Sequence, residues 1–402
     1  MKSRSTYIVV VLMLGFACTS QHQTLWDDSR TELQAYRTEL VSMREEFRVC
    51  EMPDVPFFLF GMGDRTKFVY KQGKLIESLS GNIVHEWQVA EELIVPSLYR
   101  VLIKTTDGKT VLVEEDEQAV WLSENGASRV SVAGTEFPLS LPDFSNHRYA
   151  RILKVLHQEI LINILDGTPL PNYFVYKNGW RRDGAMMGLC LEKTGNVDLI
   201  KPWVLNFSSP YDRNNANEEE ADNLGQTLYL ISLFADKEHP VVKNTLEEVK
   251  RYERKNEQGI FIQGRSDFHE TPVYQTKFLK WGLSKLGLPD DYIIPQVEDN
   301  YATLFWWDYK EAHFSYTNGP EGSAGSDKYP YLGWAADHFY GLKRNPISNR
   351  DYPLTWEIEA SQANYEGMRI IDEQYVAQRN ASPHTWHAAE VFLYLLDEKF
   401  YQ

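Results

Sequence analysis

Residues 180–193 read WRRDGAMMGLCLEK, so that a tryptophan, two arginines and an aspartate directly precede a run of small and apolar residues. The spacing of the apolar residues predicts a buried helix that begins near Arg181. Asp183 suits the N-cap or first turn of that helix, and Arg181 and Arg182 would then be its solvated neighbours. The alternative is that these polar side chains form the floor of a sugar-binding pocket.

The helical pattern of this stretch recurs from residue 144 onward. Runs such as RYARILKVLHQEILINIL (148–165), TWEIEASQANYEGMRII (355–371) and TWHAAEVFLYLLDEKF (385–400) present an apolar face at a spacing of 3.6 residues. No repeat of fixed period is present, which excludes a simple solenoid. Helices of similar length joined by long loops predict an (α/α) toroid, or barrel of helical hairpins, over residues 144–402.

Residues 54–143 have a different character. Short β-branched and aromatic runs such as TKFVY (66–70) and TVLVEE (110–115) alternate with turn sequences such as KQG (71–73) and TDGK (106–109). This pattern predicts a small antiparallel β module, which we interpret as a packing domain without chemistry. The chain is therefore expected to be mainly α, with the β module near its N-terminus.

The first residues predict export from the cell. A basic start, MKSRS, is followed by the apolar run TYIVVVLMLGFA (6–17) and then by Cys18. The apolar run is too short for a membrane-spanning helix. It resembles a bacterial lipoprotein signal, which implies a signal peptide over residues 1–17 and lipidation of Cys18; a plain secretory signal is the alternative. Residues 18–53 would form the anchor segment and a charged helix of a periplasmic or cell-surface protein.

Composition narrows the class of partner. The 402 residues include 41 Lys and Arg against 57 Asp and Glu, which gives a net charge of −16. This charge argues against nucleic acid or an anionic membrane surface as a partner, and it makes an acidic polymer an awkward substrate. Aromatic residues make up 13% of the sequence, and their flat faces would suit a neutral ligand.

Most catalytic motifs are missing from the sequence. Beyond Cys18 only Cys50 and Cys190 remain, which is too few for a disulfide framework or a zinc site, and whether they pair stays open. Phosphate-binding loops, dinucleotide fingerprints, zinc-protease motifs and serine-nucleophile elbows are all absent, so neither a metal nor a cofactor is predicted. What remains are carboxylates beside aromatic residues in loops, the composition that a glycosidase needs.

Three loop elements resemble, in order, those of the glucoamylase-like glycoside hydrolases with an (α/α)6 barrel, the six-hairpin superfamily. Trp180, Arg182 and Asp183 match the Trp-x-Arg-Asp that opens the second barrel helix, whose Arg and Asp hold the sugar at the cleavage subsite. The element DFHE (267–270) is similar to the family's Asp-Leu-Trp-Glu, which carries the general acid.

The resemblance then implies two catalytic carboxylates. Glu270 occupies the position of the general acid, with His269 where the family has an aromatic residue. The sequence EQY from Glu373, followed by TW at 385–386, is similar to the family's C-terminal element and places Glu373 as the general base, at the end of a helix. If both roles hold, the reaction should invert the anomeric configuration.

Further residues are candidates for substrate binding. Asp222 lies in EEADNLGQTLYL (219–230), which resembles a helix between the first two elements of the family. Trp306 and Trp307 are candidate sugar platforms, and Trp386 is a candidate for shaping the catalytic subsite.

The expected function is therefore hydrolysis of a neutral oligo- or polysaccharide. One alternative is a polysaccharide lyase on the same toroid, which would recruit His269, Tyr274 and Arg265. Another is a non-catalytic glycan-binding surface protein. Trehalase-like and rhamnosidase-like enzymes keep similar C-terminal elements, so the sugar and its linkage stay open. The oligomeric state stays open as well.

Overall fold

A computed structural model describes residues 5–135, 137–213, 217–266, 269–295, 344–359 and 363–396, with the backbone alone for 5–22, 269 and 344–346. The structure has 39% helix and 22% strand, and the described residues form several antiparallel sheets. The predicted mainly α toroid of helical hairpins is therefore wrong. Short strands are inserted between the helices as well as before them, so the helical pattern from residue 144 onward does not translate into hairpins alone.

The N-terminal helix α1 (Ser5–Glu46) packs along the rest of the protein. Its residues Leu33, Tyr36, Leu40 and Met43 are buried at the spacing of one helical face. Strand β1 (Phe47–Cys50) follows directly and pairs in parallel with β17 (Arg344–Ser348). None of the helices in the described ranges has the length and apolar character that a membrane span requires.

Two antiparallel sheets occupy residues 58–134. Arg65 is buried between them and donates to the Glu115 carboxylate at 2.8 Å, while that carboxylate also accepts the backbone N–H groups of Gly61 and Met62. The strands are β2 Phe58–Phe60, β3 Phe68–Lys71, β4 Lys74–Glu77, β5 Ile83–Glu86, β6 Val89–Val95, β7 Arg100–Thr105, β8 Thr110–Glu115, β9 Ala119–Glu124 and β10 Val130–Gly134. One sheet has the order β2-β3-β4-β5 and the other β10-β9-β8-β7-β6.

The helices that follow pack on one another around a shared core. The last helix contacts both α2 and α3, α3 contacts α5, and α5 contacts α7. The two helices α5 and α7 approach closely at Gly282. A Cβ added there would lie only 2.6 Å from the Cβ of Leu228, so the position has no room for a side chain. These helices are α2 Ala150–Leu161, α3 Arg181–Thr194, α4 Lys201–Leu205, α5 Asp222–Ser232, α6 Pro240–Tyr252, α7 Pro272–Lys285, α8 Glu373–Ala377 and α9 Thr385–Leu396.

Four short antiparallel pairs lie between these helices. They are β11 Ile164–Leu165 with β12 Thr168–Pro169, β13 Glu253–Lys255 with β14 Ile260–Ile262, β15 Arg265–Ser266 with β16 His269–Glu270, and β18 Glu357–Ile358 with β19 Asn380–Ala381. Short 3-10 helices cover Pro96–Leu98, Val197–Ile200 and Tyr365–Ile370. Strands this short leave no periodicity of their own in the sequence.

The run at residues 355–371 was expected to form one helix, and that prediction is wrong. Its first part forms strand β18, in which Glu357 pairs with Ala381. Its last part is the 3-10 helix Tyr365–Ile370, which starts where the Asn364 side chain accepts the Glu366 N–H. A residue that caps a new turn interrupts a helix, and the extended part brings Glu357 toward the start of α9.

The two cysteines of the described residues are not bonded to each other. Cys50 is half-buried on β1, and Cys190 is buried within α3; no disulfide joins them. The sequence left open whether Cys50 and Cys190 pair, and in the structure they do not.

Candidate functional site

The start of α3 is capped from outside the helix. Trp180 is extended and supplies no capping side chain. Instead, the Arg181 N–H donates to the Asp212 carboxylate at 2.6 Å. Asp183 is in the first turn, where its charge faces the N-terminal end of the helix dipole. Both arginines and Asp183 are buried, so the interpretation of the arginines as solvated neighbours is wrong.

Arg181 is held by several partners at once. Its guanidinium donates to the Thr227 hydroxyl at 3.0 Å and to the Ser209 carbonyl at 3.1 Å. The same group lies 3.2 Å from the centre of the Phe207 ring, which is a cation–π contact. Arg181 therefore fixes the helix start against the loop before α5.

Arg182 points into a different polar network. It donates to Asp222 at 2.9 Å and to Glu220 at 3.3 Å. Gln226 donates to the same Asp222 oxygen at 2.9 Å and to the Tyr274 hydroxyl at 2.9 Å. The structure thus joins Arg182 and Asp222, two of the residues that the sequence had assigned to substrate binding, in a buried ion pair.

Asp183 has an unusual environment for a carboxyl group. Its Oδ1 is buried and has no hydrogen-bond partner among the described residues. Burial raises the pKa of Asp183 to about 7; His384 and Arg182 oppose this shift, while Glu357 and Asp212 add to it. Burial is the largest of these causes. A carboxyl in this state carries a proton for much of the time near neutral pH.

A second carboxyl, Glu357, is held by two donors. His384 Nε2 lies 2.7 Å from Glu357 Oε2, and the Tyr176 hydroxyl donates to the same oxygen at 2.8 Å. Burial alone would lower the pKa of His384, but Glu357 and Asp183 more than compensate, and the pKa is raised overall. The half-buried Trp180 packs edge-on against Tyr176, with ring centres 5.3 Å apart. We call Tyr176, Arg182, Asp183, Glu357 and His384 the Asp183 cluster.

Sequence reasoning missed Glu357. The signal was present as Trp356–Glu357, an acid beside an aromatic residue, which is the same composition that drew attention to residues 267–270. It was overlooked because these residues were assigned to the start of a predicted helix. In the structure Glu357 lies on β18, which pairs with β19, and it forms an ion pair with His384.

The two predicted catalytic glutamates lie at the surface. Glu270 is exposed and accepts a hydrogen bond from Gln263. The Glu373 side chain is 71% exposed and forms an ion pair with Arg369 at 2.9 Å. Within the described ranges, no hydrogen bond or ion pair joins these glutamates to each other or to Asp183.

The expected position of Glu373 at the end of a helix is wrong. Glu373 is in the first turn of α8, and the preceding Asp372 caps that helix by accepting the Gln374 N–H at 3.0 Å. An acid in a first turn is favoured by the helix dipole, so the position of Glu373 has an ordinary structural explanation.

The other predicted site residues are only partly within the described structure. Trp386 is buried in the first turn of α9. His269 is described by its backbone alone, on β16. Trp306 and Trp307 lie outside the described residues, as does the side chain of Cys18.

Two residues of the lyase alternative have separate environments. Tyr274 is fully buried against Gln226, whereas the Arg265 side chain is 57% exposed and lies 4.0 Å from Glu218.

No family model, curated protein or solved structure matches this chain. The assignment of a function therefore depends on the side chains themselves. The described residues contain no group of three or more His, Cys, Asp or Glu side chains arranged to hold a metal ion.

The Asp183 cluster contains two carboxyl groups in different environments. Asp183 is buried and its pKa is raised to about 7, whereas one oxygen of Glu357 accepts from the Tyr176 hydroxyl and lies 2.7 Å from His384 Nε2. General acid and general base catalysis use carboxyl groups whose environments differ. The half-buried Trp180 beside them adds an aromatic surface.

Proposed function

We propose that this protein is a glycoside hydrolase that acts on a neutral glycan and carries out proton transfer at the Asp183 cluster. The observation that carries this proposal is the buried Asp183 carboxyl, whose pKa is raised to about 7, beside a Glu357 carboxylate fixed by His384 and Tyr176. A glycosidase needs one carboxyl that can donate a proton and another that can accept one.

The proposed reaction uses the two groups in turn. Asp183 donates its proton to the glycosidic oxygen as the bond from that oxygen to the anomeric carbon breaks. Water attacks the anomeric carbon and gives a proton to Glu357, which produces the free sugar and the departing alcohol. Asp183 recovers a proton from solvent and Glu357 returns one, so the enzyme ends the cycle unchanged. Trp180 offers an aromatic face to the sugar ring.

This proposal changes the roles that the six-hairpin resemblance implies. The resemblance gives proton transfer to Glu270 and Glu373, and substrate binding to Asp183. Both glutamates are exposed and already paired with local neighbours. A general acid that has to stay protonated near neutral pH needs burial or a nearby anion, and Asp183 has both.

A neutral substrate agrees with the local charge. The negative charges of Glu357 and Asp212 raise the pKa of Asp183, and that of Asp222 raises the pKa of Asp212. Arg182 and His384 supply positive charge beside Asp183. Arg182 is already paired with acidic side chains, so it is not free to neutralise the carboxylate of a uronic acid. This favours hydrolysis of a neutral glycan over the lyase alternative.

The test is a screen of the purified protein against aryl glycosides and neutral oligosaccharides, beside an Asp183→Asn variant. We expect Asp183→Asn to lower kcat by about 100- to 10,000-fold, because the amide cannot donate the proton. The matched control is Asp198→Asn, the same chemical change at a carboxylate that is 83% exposed, and it should leave kcat unchanged.

Two other results would change the assignment. If Glu270→Gln and Glu373→Gln abolish turnover while Asp183→Asn retains it, the exposed pair is catalytic and the Asp183 cluster is not. If the parent binds sugars in a saturable way but hydrolyses none of them, the protein is a glycan-binding protein.

A further inference from the structure

A cleft of about 500 Å³ opens beside the start of α3. Its walls come from the segment around β12 and from the loop that follows α4. Arg181 belongs to this cleft, whereas Asp183, Glu357 and His384 do not line it. The cleft and the Asp183 cluster are neighbours, because Asp212 lines the cleft and its charge also acts on Asp183. The cleft is lined by, among others, Thr168, Asn178, Trp203, Asn206, Ser208 and Asp212, and we call it the Asp212 cleft.

Three polar side chains of the Asp212 cleft are exposed to ligand. The side chains of Asn178, Asn206 and Ser208 are exposed, and none of them makes a hydrogen bond within the described part of the chain. Amides and hydroxyls both donate and accept, which is what sugar hydroxyls need from a binding site. In the lining of the cleft, Asp212 Oδ2 accepts the Arg181 N–H, while its Oδ1 is buried and has no hydrogen-bond partner among the described residues.

Trp203 is held rigidly in the cleft wall. It is half-buried, and its ring packs edge-on against Phe207 with ring centres 4.7 Å apart. A Cβ at Gly184 would lie 2.6 Å from the indole, so the absence of a side chain there makes room for the ring. A fixed aromatic face bordered by hydroxyls and amides is a surface on which a sugar ring can stack.

The charges of the cleft balance. Asp166 and Asp212 are opposed by Lys177 and Arg181, so the lining has no net charge. Arg181 also donates to Thr227 and Ser209 and lies against the Phe207 ring, so part of its guanidinium is already engaged within the protein. The chemistry of the Asp212 cleft therefore favours a neutral, hydroxyl-rich ligand.

We infer that the Asp212 cleft binds a second sugar unit of the neutral glycan whose bond is cleaved at the Asp183 cluster. This inference rests on the proposed function and extends it: the substrate is an oligosaccharide or longer chain, and single-sugar glycosides use only part of the binding surface. Trp203 stacks on the sugar ring, Asp212 Oδ1 accepts a hydrogen bond from a sugar hydroxyl, and Asn206 and Ser208 complete the hydrogen bonds.

The experiment compares two kinds of substrate in one variant. In Asn206→Ala/Ser208→Ala both side chains are exposed and without hydrogen bonds in the described chain, so folding should be retained. We expect KM for neutral oligosaccharides of three to six units to rise about tenfold, since two hydrogen bonds are lost, with kcat unchanged. Hydrolysis of the aryl glycoside of a single sugar should stay as in the parent. Trp203→Ala should give a larger loss of the same kind.

The control is Gln258→Ala, an exposed side chain in the turn between β13 and β14, which should change neither substrate. Equal effects of Asn206→Ala/Ser208→Ala on long and short substrates, or no effect on either, would overturn the inference.

A binding measurement separates this inference from the proposed function. Calorimetric titration with cello-, malto-, xylo- and mannooligosaccharides is carried out on the parent and on Asn206→Ala/Ser208→Ala. Binding by the parent that weakens about tenfold in the variant supports the cleft even if no glycoside is hydrolysed. If the parent binds none of these oligosaccharides, the inference that the Asp212 cleft binds sugar is overturned. Equal binding by both proteins would mean that the sugar binds elsewhere, which also overturns the inference.

Discussion

Asp183 combines a proposed catalytic role with an energetic cost to the folded protein. Its carboxyl is buried, and no described residue donates a hydrogen bond to Oδ1. In the folded protein its pKa is about 7, whereas the ordinary value of an aspartate is 3.8. Between these two values the folded state binds more protons than the unfolded state. The free energy of unfolding therefore falls as pH rises from about 4 to about 7, and this contribution is constant above that range.

Replacing Asp183 with Asn should remove this dependence on pH. At pH 8 the variant should be more stable than the parent by about 1–4 kcal/mol, because a buried charge has been replaced by a neutral amide of similar shape. At pH 4 the two proteins should differ little. Urea unfolding at both values of pH measures the effect, and Asp198→Asn should behave like the parent at each. A variant that is less stable than the parent at pH 8 would show that the Asp183 charge is well compensated.

The pair formed by α5 and α7 shows how one element constrains another. Gly282 is buried in α7, and a Cβ there would lie 2.6 Å from the Leu228 Cβ and 2.8 Å from the Gly225 carbonyl oxygen. Glycine is ordinarily the weaker choice in the middle of a helix. Here the close approach of two backbones requires it. The same packing positions α5, whose Asp222 accepts hydrogen bonds from both Arg182 and Gln226.

Gly282→Ala should therefore destabilise the protein, although the same change in an exposed helix stabilises it. We expect a loss of about 1–3 kcal/mol as the two helices are forced apart. Ser284→Ala, two residues away on the exposed side of α7, should be neutral or slightly stabilising. Thermal unfolding of the three proteins checks the order, and a Gly282→Ala variant as stable as Ser284→Ala would contradict the close packing.

At the scale of the whole molecule, α1 belongs to the main hydrophobic core. Leu40 is fully buried in the core cluster that also contains Ile152 of α2 and Tyr394 of α9. Arg151 of α2 is paired with Glu32 and Glu39 of α1 at 2.9 and 2.8 Å. Residues 33–47 of this segment thus contribute to the stability of the rest of the chain.

Leu40→Ala should lower the free energy of unfolding of the entire protein by about 2–5 kcal/mol, since it leaves a cavity in the shared core. Val41→Ala, at the next position but 60% exposed, should have almost no effect. Circular dichroism and tryptophan fluorescence should report the same transition for Leu40→Ala. A separate, earlier transition in one of the two signals would show that α1 unfolds on its own.

The helix opened by WRRD and the position of Asp222 could be predicted from the sequence, because both depend on the local spacing of apolar residues. Glu357 and the surface location of Glu373 could not. Glu357 gains its partners through a two-residue strand pair that brings it to His384, and two residues cannot show a period. The toroid was inferred from helices alone, and the short strands between those helices are fixed by tertiary contacts rather than by their own composition.

The parallel pairing of β1 with β17 has a consequence for synthesis. Phe47 pairs with Arg344, and the Tyr36 hydroxyl donates to the carbonyl of Asp351, a residue 315 positions further along the chain. As the ribosome makes the chain from its N-terminus, β1 has no strand partner until nearly seven eighths of the 402 residues exist. Contacts of such long range also slow folding. A nascent chain released early would therefore carry an unpaired strand edge, the kind of surface on which chains associate with one another.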